Sequence, residues 1–258
     1  METTNMFMLF FLVLPVFLFN FHYAIKMNGQ IAIAIFRMIL QLSLIGLVLQ
    51  WLFDMNTPWI NVVYVVLMMT IASYSMLKTT KLSIKTFGFH IWLAVFIPHF
   101  FILLFFNYFI VDLTDIFDAQ YLIPIGGMLL GNSLSGNILA INTFYKQIKD
   151  GEKTYYYNLS LSASRSEALK PYFVHALKSS ISPTIASIET IGLVSLPGMM
   201  TGQILGGSIP ITAIKYQIAI MIAIFTTRYL TAVLAIYLTR SRAFDDYDRL
   251  KPHVIGNS

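Results

Sequence analysis

Seven apolar runs of membrane-crossing length divide the chain: Met6 to Tyr23, Ile31 to Phe53, Trp59 to Leu77, Phe89 to Ile110, Tyr121 to Thr143, Pro183 to Gly206 and Ile211 to Leu238. A spanning helix needs about 20 mostly apolar residues, so the pattern predicts an all-α integral membrane protein with about seven transmembrane helices. Composition fits that solvent. The 258 residues are 57% hydrophobic and 11% charged, with a mean hydropathy of +0.71, against roughly 25% charged in soluble domains. Trp51, Trp59 and Trp92 lie near the ends of apolar runs, as expected of an interfacial aromatic belt.

Basic residues collect in alternate loops, as they do on the cytoplasmic side of membrane proteins. Lys26 follows the first run, Lys78, Lys81 and Lys85 the third, six basic residues from Lys146 to Lys178 the fifth, and Arg240, Arg242, Arg249 and Lys251 the seventh. The intervening loops, around Asp54, around Asp112, Asp115 and Asp118, and from Ser208 to Pro210, have no Lys or Arg. An N-terminus outside and a C-terminus inside follow, in a multi-pass protein of the cell membrane. METTNMFMLF carries Glu2 and no basic flank, so the first run is taken as a span rather than a signal peptide. The formal charge of +5 belongs to these loops and gives no reason to expect nucleic acid. Cysteine is absent, which excludes disulfides, thiolate metal sites and Cys nucleophiles.

Two segments are unusual. Leu159 to Leu177, LSLSASRSEALKPYFVHAL, sets apolar positions beside Arg165, Glu167 and Lys170. Such a helix can lie in the membrane interface or dock on a partner chain. Ile191 to Gln203, IGLVSLPGMMTGQ, interrupts an apolar run with glycine and proline. Pro197 removes a backbone donor and disturbs the preceding turn. Freed backbone groups at membrane depth are tolerated only against protein or a water-filled cavity. Ser195, Pro197, Gly198, Met199, Met200 and Gln203 are therefore candidates to line a transport path, a purely structural kink being the alternative. Gly198, Gly202 and Gly206 recur at i+4, which permits close helix approach. In the fifth run, Gly126 to Asn137 brings Asn132, Ser133, Ser135 and Asn137 into apolar surroundings. Each needs a polar partner, either a neighbouring helix or a ligand.

The Gly-Asn-Ser run at 131–133, IGLVSLPGMMTGQ, and the ordered Leu159, Leu161, Ala163, Ser164, Ala168 and Pro183 resemble the FetB-type permeases. These are the membrane subunits of a bacterial ABC transporter linked to iron export, with plant relatives linked to aluminium tolerance. The likeness is strongest from Gly126 to Gln217. Two positions depart: Tyr156 stands where Glu is expected and Ser162 where Gly is, and Gly has backbone freedom that Ser lacks. The resemblance implies that residues 1–258 form a single transmembrane permease domain exporting iron or a related metal ion. Its cytoplasmic loop, about 144–182, would carry a coupling helix through which Leu159, Leu161, Ala163, Ser164, Arg165 and Ala168 engage an ATPase subunit. A short tail, 240–258, follows. A homodimer with two ATPase subunits is implied. ATP and magnesium would be bound there and no cofactor by this chain, whose GNSLSGN lacks the Lys-Ser/Thr of a phosphate loop.

Arg37, Glu189 and Arg228 lie in or near the runs. A charge at the bilayer centre costs about 2.5 to 3.5 kcal/mol on insertion scales, so burial in protein or water is expected. Arg37 and Gln41 share a helical face. Glu189 either pairs with Arg37 or Arg228, or receives a metal cation or proton. No metal site is assigned. Asp112, Asp115 and Asp118 read as solvated loop charges, and His99 and Met199–Met200 as packing residues. Two other functions fit less of the sequence. One is a proton-coupled secondary carrier using Glu189. The other is an integral membrane enzyme acting on lipid, for which Ser, His99 and Asp112 show no recognisable spacing.

Overall fold

The computed structural model describes residues 3–251 and Val254, with side chains from Phe11 onward. The chain divides into two compact units, Met1–Met55 and Asn56–Ser258. No strand occurs among the described residues, only the isolated bridges Ile191–Ser195 and Phe244–Leu250. Of the expected tail, residues 252, 253 and 255–258 lie outside the described residues.

The first unit is a helical hairpin, α1 (Thr3–His22) and α2 (Asn28–Met55). Its turn is closed by Asn20 Nδ2 donating to Asn28 Oδ1 at 2.8 Å. The most apolar window of α2 contains no buried residue.

The second unit holds α3 (Pro58–Thr80), α4 (Ile84–Phe105), a π-helical turn (Phe106–Ile110), α5 (Ala119–Asp150), α6 (Glu152–Ser160), α7 (Arg165–Thr190), α8 (Gly198–Leu205) and α9 (Pro210–Ala243). Pro58 and Pro210 begin their helices, where the missing N–H removes no helical bond. Asp118 caps α5 by accepting from the Gln120 N–H at 2.8 Å. The 32-residue α5 packs against α3, α7 and α9, and α9 also packs against α4. Lipid is as apolar as leucine, so fit between side chains, rather than escape from water, holds such helices together. Gly126 faces Leu103 and Val65, Gly127 faces Met68, and Met69, Met76, Phe87, Leu122 and Leu129 fill the interior.

Five described helices are long and apolar enough to cross a membrane: α2, α3, α4 with its π turn, α5 and α9. The expected first span coincides with α1. The expected sixth span, Pro183 to Gly206, is not one helix. Pro183 lies inside α7, which begins eighteen residues earlier at Arg165. The break comes after Thr190, where Gly192 takes φ +85 and its N–H donates to the Ser195 carbonyl at 2.9 Å. Pro197 then caps the short α8. Proline marked the wrong boundary because α7 continues through Pro183 and ends only before the left-handed Gly192.

Candidate transport site

The face of α5 that repeats at i, i+3, i+4 and i+7 presents Ser133, Gly136, Asn137 and Ala140, all buried. Opposite it, α9 presents Thr227, Arg228 and Thr231, also buried. A polar seam results, running between helices that are otherwise apolar.

At one level of the seam, His99 of α4 uses both ring nitrogens. Nδ1 donates to the Val95 carbonyl at 2.7 Å, which leaves Nε2 of the neutral ring to accept from the Ser133 hydroxyl at 2.8 Å. Thr231 Oγ1 lies 3.5 Å from Nδ1. At the next level the Arg228 guanidinium occupies the space over Gly136, so close that a Cβ there would overlap it. Arg228 Nη2 donates to the Ser180 carbonyl at 2.6 Å, and the Ser180 hydroxyl donates to the Gly136 carbonyl at 2.8 Å. Three helices are thus tied at one point: α5 through Gly136, α7 through Ser180 and α9 through Arg228. Arg228 forms no salt bridge among the described residues. Its Nε, with Asn137 Oδ1 and Thr184 Oγ1, is buried without a protein partner.

The remaining sequence-selected polar residues face away from this seam. Asn132 and Ser135 are exposed on α5, and the Asn132 amide bonds only its own helix, Met128 O at 2.8 Å. Glu189 is exposed in the last turn of α7 and makes no salt bridge among the described residues. Ser195 and Gly198 are exposed, Pro197, Met199 and Gln203 half-buried, and Met200 buried against α9. Leu193, Val194 and Leu205 are more than four-fifths exposed, so this segment forms an uncovered apolar patch. Gly198 and Gly202 meet nothing within 4 Å, and the close approach expected of their spacing does not occur within the chain. Arg37 and Gln41 are exposed on α2 of the first unit.

Nearer the chain's charged end, α6 and α7 enclose a tight turn. Leu159 lies in the last turn of α6, Leu161 is its exposed C-cap, and Ser162 takes φ +65. Ser164 and Glu167 form a capping box at the start of α7, which carries Arg165 and buried Ala168. The Ser164 hydroxyl and backbone N–H hold the Glu167 carboxyl below its usual range. Arg165 forms an ion pair with Asp248, whose carbonyl also accepts from the Tyr155 hydroxyl at 3.0 Å. Burial, then the Asp248 carboxylate, pushes the Tyr155 phenol up to about 12.

No group of three or more His, Cys, Asp and Glu able to hold a metal occurs among the described residues. Asp115 and Asp118 accept backbone N–H bonds from Phe117 and Gln120, so two of the three loop aspartates shape the loop. Residue type alone does not reveal the roles of Ser180 and Gly136. The available signal was helical spacing, which places Gly136 beside Ser133 and Asn137.

Residues 3–244 match UPF0014, an uncharacterised protein family. The chain is 34% identical over 222 residues to the UPF0014 membrane protein YjkA of Bacillus subtilis, covering 85% of this chain and 86% of that protein. It is 30% identical over 250 residues to Protein ALUMINUM SENSITIVE 3 of Arabidopsis thaliana, covering 95% and 88%. It is 28% identical over 248 residues to the probable iron export permease protein FetB of Escherichia coli, covering 93% and 91%. No solved structure matches the chain.

Proposed function

The chain belongs to the UPF0014 family of multi-pass membrane proteins, and from that premise we propose that it is the permease subunit of an ABC-type transporter. It exports iron or a related metal ion, and a separate ATPase subunit supplies the energy. The relative named as a probable iron export permease supports the substrate, and the absence of a phosphate-loop motif in the sequence supports a separate ATPase. The N-terminus lies outside and the C-terminus inside, which puts the α6–α7 turn and the tail on the ATPase side.

The observation that carries this reading is the division of polar residues between two faces. A fixed guanidinium about 5 Å from a divalent cation repels it by about 7 kcal/mol at an effective dielectric of about 20. The Arg228 seam is therefore a structural tie, not a cation route. The route runs along the uncovered side of α5 and α7, past Asn132, Ser135 and Glu189, with the Ser195–Gln203 segment beside it. A second copy of the chain completes that route, which is why its polar groups stay exposed in one copy.

The test is iron movement in vesicles containing the chain and a candidate ATPase, active or hydrolysis-dead. Movement only with the active ATPase supports the proposal. Movement indifferent to the ATPase replaces it with a proton-coupled carrier, and an assembled complex that moves no iron removes iron as substrate.

A further inference from the structure

At the ends of α3 and α5 a recess of about 550 Å³ is lined by Lys81, Lys146 and Lys149, with Asp150 as the one carboxylate among its described lining residues. The three ammonium groups make no salt bridge among the described residues, and with Asp150 the described lining carries a net charge of +2. Lys146 and Lys149 share a face of α5 by their i, i+3 spacing. Lys81 is the left-handed C-cap of α3, its N–H directed to the Leu77 and Lys78 carbonyls. The neighbouring hydroxyls are already committed. Thr79 and Thr80 bond the carbonyls of Ser75 and Met76, and Tyr145 donates to Thr239 at 2.7 Å. Among the described residues, the lysines and the Asn142 amide remain to meet a charged guest, and of these only the lysines carry charge. Buried Leu82, Ile141 and Val254 give the recess an apolar floor.

Both helices are long and apolar enough to cross a membrane and end here, which sets the recess at the depth of lipid phosphates. An exposed apolar column on α3, Leu67, Ile71 and Tyr74, leads towards it by its i, i+4, i+7 spacing. A free phosphate would not use such a column, whereas an acyl chain would. Basic pockets between membrane helices hold acidic headgroups in this way. We propose that the recess binds the phosphate of an acidic phospholipid headgroup, with an acyl chain along α3.

The purified full chain in neutral detergent is titrated with phosphatidylglycerol, phosphatidylcholine or inorganic phosphate while its thermal unfolding is followed. Phosphatidylglycerol is expected to raise Tm saturably, and the other two are not. At about fivefold per lysine, the K81Q/K146Q/K149Q variant needs about a hundredfold more phosphatidylglycerol for the same shift. K153Q/K178Q, which removes two lysines outside the recess, behaves as wild type. If the triple variant does not fold, K146Q alone is expected to show about the fivefold change. An equal response to inorganic phosphate at matched concentration would replace the lipid with a free anion. An undiminished response in the recess variants, or an equal loss in K153Q/K178Q, would overturn the site.

Discussion

The guanidinium of Arg228 lies where a side chain at Gly136 would begin. Glycine at 136 is thus the space in which a membrane-embedded arginine reaches across α5 to the Ser180 carbonyl on α7.

Gly136→Ala is expected to displace Arg228 and to destabilise the protein by about 1 to 3 kcal/mol, the usual cost of overpacking. Once Arg228 is gone the added methyl has room. The double variant G136A/R228A should then be no less stable than R228A alone. Thermal unfolding of the four proteins in one detergent measures the coupling, and additive losses would show that the two residues act separately.

Ser162 sits at φ +65, in the left-handed region that glycine occupies without the steric penalty of a Cβ. Ser162→Gly should therefore stabilise the α6–α7 turn, by about 1 kcal/mol. An unfolding temperature equal to or below wild type contradicts this account of the turn.

Asp248→Asn should release the segment after α9 from Arg165, leaving it only the bond from the Tyr155 hydroxyl to the Asp248 carbonyl. The pair is partly exposed, so global stability should change by no more than about 1 kcal/mol. The local effect is larger: limited proteolysis should cut near residues 245–250 sooner than in wild type. Unchanged cleavage kinetics would mean that the segment is held by other contacts.

The Glu167 carboxyl is held low by the Ser164 hydroxyl and then by its N–H. A depressed folded-state value stabilises the start of α7 at pH above the ordinary carboxyl range, and that support is lost as pH falls through the folded value. Hydrogen exchange at the first turn of α7, corrected for the intrinsic pH dependence, should show increasing opening on acidification. In E167Q the opening should be greater at neutral pH and nearly flat below it. A wild type that matches E167Q at every pH would rule out the capping carboxylate as the cause.

Glu189 is exposed and without a salt bridge among the described residues, so Glu189→Gln should leave the unfolding free energy within about 0.5 kcal/mol of wild type. On the proposed route it should sharply lower ATP-dependent iron transport. Ser133→Ala removes a hydrogen bond to His99 and should cost about 1 kcal/mol of stability with smaller loss of transport per folded molecule. The opposite pattern would move the route into the seam.

Hydropathy located α3, α5 and α9 within a few residues at their starts, because apolar surface is what lipid demands. It shortened their ends. The run expected to stop at Thr143 continues as helix to Asp150, since backbone hydrogen bonds persist where composition turns polar. Pro183 misled because its effect depends on neighbours: α7 passes through it while Arg228 binds the nearby Ser180 carbonyl. Among the site residues, composition grouped Asn132, Ser133, Ser135 and Asn137. Only the packing of α4, α7 and α9 divides them into two that are buried and two that are exposed. Ser162 was legible in advance as a departure from an expected glycine, and its backbone angle gives the reason.

Because α7 is continuous from the Ser164 cap to Thr190, it can act as a lever with its fulcrum at Ser180. The arm towards Arg165 is about 22 Å and the arm towards Thr190 about 15 Å at 1.5 Å per residue. A tilt that swings the capping box one way carries the Glu189 end the other way, through about two-thirds of the distance. The fold therefore gears a large displacement at the charged end down to a smaller, opposite one at the apolar end.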